Sequence, residues 1–170
     1  MLFACENDME TINSFTTDET LPDEMAKDIQ VIYSDSGRIL IKLISPLLTK
    51  YETDDPYMEF PEGIRLLFYD SVMNIKSELT ADYGINRIKQ KIMEVKGNVV
   101  INNYEKDEVL NTEHIVWDQK KREFYSNVFV KRTTHDDVIY GDGFTADESL
   151  TNYKLIHPRG VFAVEDDTEN

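Results

Sequence analysis

The residues best suited to proton transfer or metal ligation near neutral pH are three histidines, His114, His135 and His157. They are scattered, and no spacing among them suggests shared ligation of a metal. His114 alternates with its neighbours as a satisfied sheet histidine would. Asp142 with Asp147 is a fragment of a calcium loop that lacks the Asp-x-Asp step and the closing Glu. Asp54-Asp55 and Asp136-Asp137 sit in turn-like segments, where acids are common for conformational reasons. No nucleophile elbow, phosphate loop or dinucleotide glycine pattern occurs. These residues point to no enzyme, no metal and no cofactor. The single cysteine, Cys5, excludes an intrachain disulfide framework. It closes Leu2-Phe3-Ala4-Cys5, which has the form of a bacterial lipobox: apolar, any, small, Cys. Lipidation at Cys5 would need a basic and apolar stretch upstream of it.

Whatever chemistry the chain performs is therefore binding, and the elements that would position it are strands. Runs of β-branched and aromatic residues recur from Ile29 to Val164, among them Arg38–Leu43, Gly63–Tyr69, Asn98–Ile101, His114–Trp117, Asn127–Lys131 and Gly160–Val164. The connections between them, such as Ser34–Gly37 and Asp118–Lys121, are too short for helical crossovers, so the pairing is expected to be antiparallel. The only helix candidate is one or two turns at Asp23–Gln30. A unit of roughly 30 residues, two strands and a turn, repeats along this region, and such a unit buries a face only by stacking on its neighbours. Within its first strand, small or apolar residues step by two and then by three: Leu79, Ala81, Gly84; Leu110, Thr112, Ile115; Gly141, Gly143, Ala146. A step of three in a period-two strand is the mark of a bulge or corner. Alternation points Leu79, Ala81, Val95, Val99, Ile101, Leu110, Ile115, Trp117, Val128, Val130 and Val161 inward. Periodicity alone leaves open whether that inside is a filled core or a groove.

Composition sets the outer limits. The chain has 170 residues, 41% of them apolar, with a net charge of −15. Such acidity argues against nucleic-acid binding, and no run approaches the roughly 18 apolar residues of a membrane helix. The acids concentrate at the ends. Residues 29–164 keep 21 acids against 17 bases, which leaves them close to neutral. Three regions are expected: an acidic tether over 1–28, a β domain over 29–164 and an acidic tail over 165–170.

Several segments together resemble the LptC family: Val31–Gly37, Tyr57–Ile64, Leu79–Tyr83, Lys96–Val100 and Val138–Phe144. Members of this family are periplasmic components of the lipopolysaccharide-export ABC transporter, and the nearest likeness is to lipoprotein members of the Bacteroidetes type. The resemblance implies an all-β fold, an open, twisted antiparallel β-jellyroll built from stacked bent hairpins. It implies no enzymatic activity, and a role passing lipopolysaccharide from the inner-membrane transporter subunits to a periplasmic bridge of similar jellyrolls, with edge-to-edge docking. It favours the groove over the filled core, with Leu79, Ala81, Val95, Val99, Ile101, Leu110, Ile115, Trp117, Val128 and Val130 lining it. Many members anchor through an N-terminal transmembrane helix; here Cys5 would substitute as a lipid anchor in the inner membrane.

The residues set what such a groove must do. Burying one acyl chain of a dozen methylenes contributes up to ~10 kcal/mol, at ~0.8 per methylene. Enclosing every chain would prevent release, so a carrier should cover them partly and leave the sugar head outside. Basic residues at Lys120, Lys121 and Arg122, or at Lys131 and Arg132, are candidates to meet the anionic head. Exposed strand edges offer unpaired backbone groups to a partner strand. The expected edges are Ile29, Val31 and Tyr33 at one end and Gly160, Val161 and Phe162 at the other, and Gly160→Arg is expected to weaken docking without unfolding the domain. Two other classes stay open: a β-edge scaffold that binds no lipid, and a soluble periplasmic glycolipid carrier outside the export bridge.

Overall fold

The computed structural model describes residues 21–161. Its strands are β1 (Glu24–Asp35), β2 (Arg38–Tyr51), β3 (Tyr57–Phe60), β4 (Ile64–Tyr69), β5 (Ile75–Ala81), β6 (Tyr83–Arg87) and β7 (Ile92–Asn103). They continue as β8 (Glu108–Asp118), β9 (Glu123–Ser126), β10 (Val130–Thr133), β11 (Val138–Gly141), β12 (Gly143–Asp147), β13 (Tyr153–Ile156) and β14 (Arg159–Val161). All fourteen join one sheet, and every pairing is antiparallel. The described residues contain no helix long and apolar enough to cross a membrane.

The sheet bends along one line. β7 pairs β6 through Ile92–Lys96 and β5 through Val100–Asn103, with the register of β7 against β8 breaking between Lys96 and Val99. β8 likewise pairs β9 through Val116–Asp118 and β10 through Val109–Thr112. On one side of the bend lie β3, β6, β9, β12 and β13; on the other lie β4, β5, β10, β11 and β14. β1, β2, β7 and β8 run through both. The ring β2–β3–β6–β7–β5–β4 is thus a fold line bridged by continuous bent strands. The two half-sheets close face to face as a jellyroll. Phe68 of one meets Phe124 of the other edge-on, ring centroids 5.7 Å apart.

The step of three in the sequence falls at these bends. Ala81 and Gly84 flank the corner at Asp82, Thr112 and Ile115 flank the one at Glu113, and Gly141 and Gly143 flank the one at Asp142. Gly97 takes φ +77°, a left-handed conformation open to glycine, and its carbonyl accepts from the Asp82 N–H at 3.0 Å. A Cβ on Gly143 would stand 2.2 Å from the Ser126 carbonyl oxygen, so no side chain fits there.

Two expectations fail at the N-terminal end. Asp23–Gln30 is not helical: it opens the twelve-residue strand β1, which pairs β2 from Glu24↔Lys50 to Asp35↔Arg38. A helix of one or two turns is costly to nucleate, whereas the long strand β2 offers a ready ladder. The sheet accordingly begins at Glu24 rather than at residue 29. The rest of the expected tether through Thr20, with Cys5, and the 165–170 tail lie outside the described residues.

Candidate functional site at the open side of the sheet

Nine of the ten residues expected to line a groove are buried: Leu79, Ala81, Val95, Val99, Ile101, Leu110, Ile115, Trp117 and Val130 pack into one core. The interior between the half-sheets holds side chains along its length. Phe68, Phe124, Phe144, Phe60, Leu43 and Leu66 fill it from the strands between. Alternation identified the correct side of each strand, and aromatic rings occupy the space that it left undecided. Val128 is the exception. It is 38% exposed, because Asn127–Phe129 is the corner between β9 and β10 rather than part of a continuous strand, and the alternation lapses there.

Opposite the bend, hairpin tips of the two half-sheets face each other across a mouth. The mouth is closed unevenly. At its C-terminal half, the β12–β13 loop crosses from one half-sheet to the other. The Ser77 hydroxyl donates to the Ser149 carbonyl at 2.6 Å, and the Asn103 amide donates to the Thr151 carbonyl at 3.3 Å. The Tyr153 hydroxyl reaches Glu108, which Arg132 holds at 3.3 Å. At the N-terminal half the main bridge is Tyr33 set edge-on against Trp117, centroids 5.7 Å apart.

Here two adjoining clefts, about 270 and 320 Å³, reach the core. Leu40, Ile41, Phe68 and Trp117 form their apolar floor, and the rim mixes the bases Lys76, Lys91 and Arg122 with the acids Asp35, Asp147 and Glu148. Trp117 stacks on Phe124 at 5.3 Å, while its buried indole N–H has no hydrogen-bond partner among the described residues. An unmet donor in an apolar wall is costly, and it suits a ligand carbonyl. The site can therefore admit a molecule with an apolar body and a polar or anionic end.

The basic candidates separate. Arg122 lines this cleft and donates to Glu148 at 2.6 Å, and Lys121 pairs with Asp118 at 3.3 Å on the same turn. Arg132 is engaged by Glu108 and Asp137, and Lys131 lines an outer hollow with Val128 and Phe129. Sequence reading missed Leu40, Ile41 and Phe68 as the cleft floor. Their signal was present as alternation in Arg38–Leu43 and Gly63–Tyr69, but nothing local says which end of a strand meets the open side.

The histidines hold no shared site. His114 Nε2 lies 3.2 Å from Glu94, which Lys96 also approaches at 3.2 Å. Burial would raise the Glu94 carboxyl, but the hydrogen bonds from Lys96 and His114 outweigh it and hold the group below its ordinary value. His157 is 3.2 Å from Asp142, and His135 is exposed beside Asp136. Among the described residues no three potential metal ligands converge.

Both expected edges are placed at sheet margins. β1 pairs only β2 and β14 pairs only β11 among the described residues. Val31 is exposed on β1, whereas Ile29 and Tyr33 turn toward the core. Phe162 lies outside the described residues. A Cβ on Gly160 would stand 2.5 Å from the Val138 carbonyl oxygen. Gly160→Arg would thus push β14 off β11 itself, and it is a poor test of docking alone.

A family profile described as lipopolysaccharide-assembly, LptC-related, matches residues 5–162. No curated protein matches the chain. With 158 of 170 positions inside that match, the chain belongs to the LptC-related family, non-catalytic periplasmic components of lipopolysaccharide transport associated with the inner membrane.

Proposed function

We propose that this protein takes lipopolysaccharide acyl chains between its half-sheets through the cleft beside Tyr33 and Trp117, keeps the polar head at the rim, and hands the lipid on to a neighbouring jellyroll. The observation that carries this reading is the join of an apolar floor to the buried core at a charged rim where Lys76, Lys91 and Arg122 alternate with Asp35, Asp147 and Glu148. Lipid A links its chains through ester and amide carbonyls, and the unpartnered Trp117 N–H is a donor for one of them. Arg122, already engaged by Glu148, can exchange that carboxylate for a phosphate. The margins of β1 and β14, unpaired among the described residues, suit strand addition, with the transporter side at β1 and the bridge side at β14. Cys5, acylated, would serve as the tether to the inner membrane.

The filled interior favours one competing reading, a scaffold that docks by its edges and carries no lipid. A photo-crosslinking residue at Leu40, on the cleft floor and partly exposed, separates the two. The expected result is a lipopolysaccharide adduct at Leu40 that depends on ATP, and none at the outward-facing Val128. Absence of any adduct at Leu40, with bridge assembly intact, would leave only the scaffold.

A further inference from the structure

The β12–β13 loop, Glu148–Asn152, is a polar turn with one apolar residue in it. That residue, Leu150, is 2% exposed and belongs to the same core as the expected groove positions. It reaches there with φ +56°, a left-handed backbone that a leucine adopts only at a cost. The loop is otherwise self-contained. The Asp147 carboxylate accepts from the Ser149 N–H at 3.0 Å and from the Asn152 amide at 2.7 Å. The Leu150 N–H bonds back to the Asp147 carbonyl at 3.0 Å. Its ties to the opposite half-sheet are few and polar: Ser77 to Ser149, Asn103 to Thr151, and Lys106 to Asn152 at 3.5 Å. Glu148 and Ser149 also border the open cleft.

Resting on the lipid-carrying reading above, we propose that this loop is a removable plug. Leu150 occupies the place of an acyl chain in the empty protein, and an entering chain displaces it. Moving outward, the loop gives up those cross-mouth bonds, the Arg122–Glu148 bond at 2.6 Å, the Leu150–Asp147 backbone bond that holds the left-handed turn, and the burial of Leu150 and Thr151. The relief of the strained Leu150 backbone favours the outward position. The plug keeps an apolar trough closed to water and to stray hydrophobes until a chain with larger apolar area competes for it. The space that one leucine vacates adds to the two adjoining clefts, so part of a chain can enter a largely filled interior.

The test uses the full chain and lipopolysaccharide carrying a fluorescent acyl label. Leu150→Gly removes the competing side chain and tolerates the positive φ. It is expected to bind the probe about tenfold more tightly than the parent, equivalent to 1.4 kcal/mol. Ser77→Ala, which removes one tie and leaves Leu150 in place, is expected to shift affinity the same way by a smaller factor. In the parent, hydrogen exchange at the Leu150 amide should quicken at least tenfold when the probe binds, a readout that does not depend on any variant folding. Probe binding with unchanged Leu150 exchange, or a folded Leu150→Gly that binds no tighter, overturns the plug and leaves the lipid reading standing. No binding to any of the three proteins overturns that reading, and the plug with it.

Discussion

Along the bend, two crossings are fixed backbone to backbone, Asp82 N–H to the Gly97 carbonyl at 3.0 Å and Asp142 N–H to the Ile156 carbonyl at 2.9 Å, and a third by the buried Ser45 hydroxyl donating to the Gly63 carbonyl at 2.7 Å. Across the mouth, the same sheet is joined by side chains and a loop. The bend has no room for even a methyl at Gly143, whereas the mouth holds clefts of several hundred Å³. A folded sheet of this kind has one edge that cannot yield and one that can. Any opening of the interior must therefore be a hinge about the bend, with the mouth as its moving side.

Attacking the bend should give the largest effect. Gly143→Ala places a carbon against the Ser126 carbonyl and is expected to cost about 3 kcal/mol in urea unfolding, as overpacking against backbone does. A loss under about 1 kcal/mol would mean that the bend also gives, and the contrast with the mouth would collapse. Acid should loosen the mouth selectively. Burial alone would raise the Asp147 carboxyl, yet hydrogen bonds from Ser149 and Asn152 hold it below its ordinary 3.8. A depressed carboxylate stabilises the fold above its unfolded pKa, and that contribution fades as pH falls through the lower folded value. Below about pH 4, exchange at the Leu150 and Asn152 amides should therefore rise before exchange at β7 and β8 does, and Asp147→Asn should abolish that difference. The smallest effect is expected at the rim. Arg122 is well exposed, so Arg122→Ala should change stability by less than about 0.5 kcal/mol while weakening capture of the anionic probe.

How much of this was legible follows from how local each feature is. The bends were readable because a change from period two to period three is written in adjacent residues, as in Leu79, Ala81 and Gly84. The inward face was readable for the same reason, and nine of ten positions fell on it. What fills the interior was not, because alternation assigns a side and says nothing about the aromatic rings arriving from other strands. The crossing of the mouth by the β12–β13 loop was hidden too. Ser77 and Ser149 are 72 residues apart, and a lone leucine in a Glu-Ser-Leu-Thr turn reads as loop until its packing is seen. Only the first part of β1, Glu24–Asp28, was misread, because its acids obscured the β pattern that pairing with β2 enforces; Ile29–Tyr33 was read as an edge strand. The family likeness was readable from short segments in order, and it extends to residues 5–162.

β1 runs twelve residues with almost its whole length exposed, Ile32 at 56% and Met25 at 61% among them. A margin of that length left unpaired among the described residues, with the short β14 as a second, invites copies to add head to tail without end, since such contacts do not close on themselves. Its irregularities discourage that. Asp28 sits at φ +51° opposite Pro46, which has no N–H to offer, and the register slips between Tyr33 and Ser34. Glu24, Lys27, Asp28 and Asp35 add charge along the same strand. Under the docking role proposed above, an arriving strand would have to reproduce both kinks and the charge sequence, so the same features that hold off the chain's own copies would key the margin to a cognate neighbour.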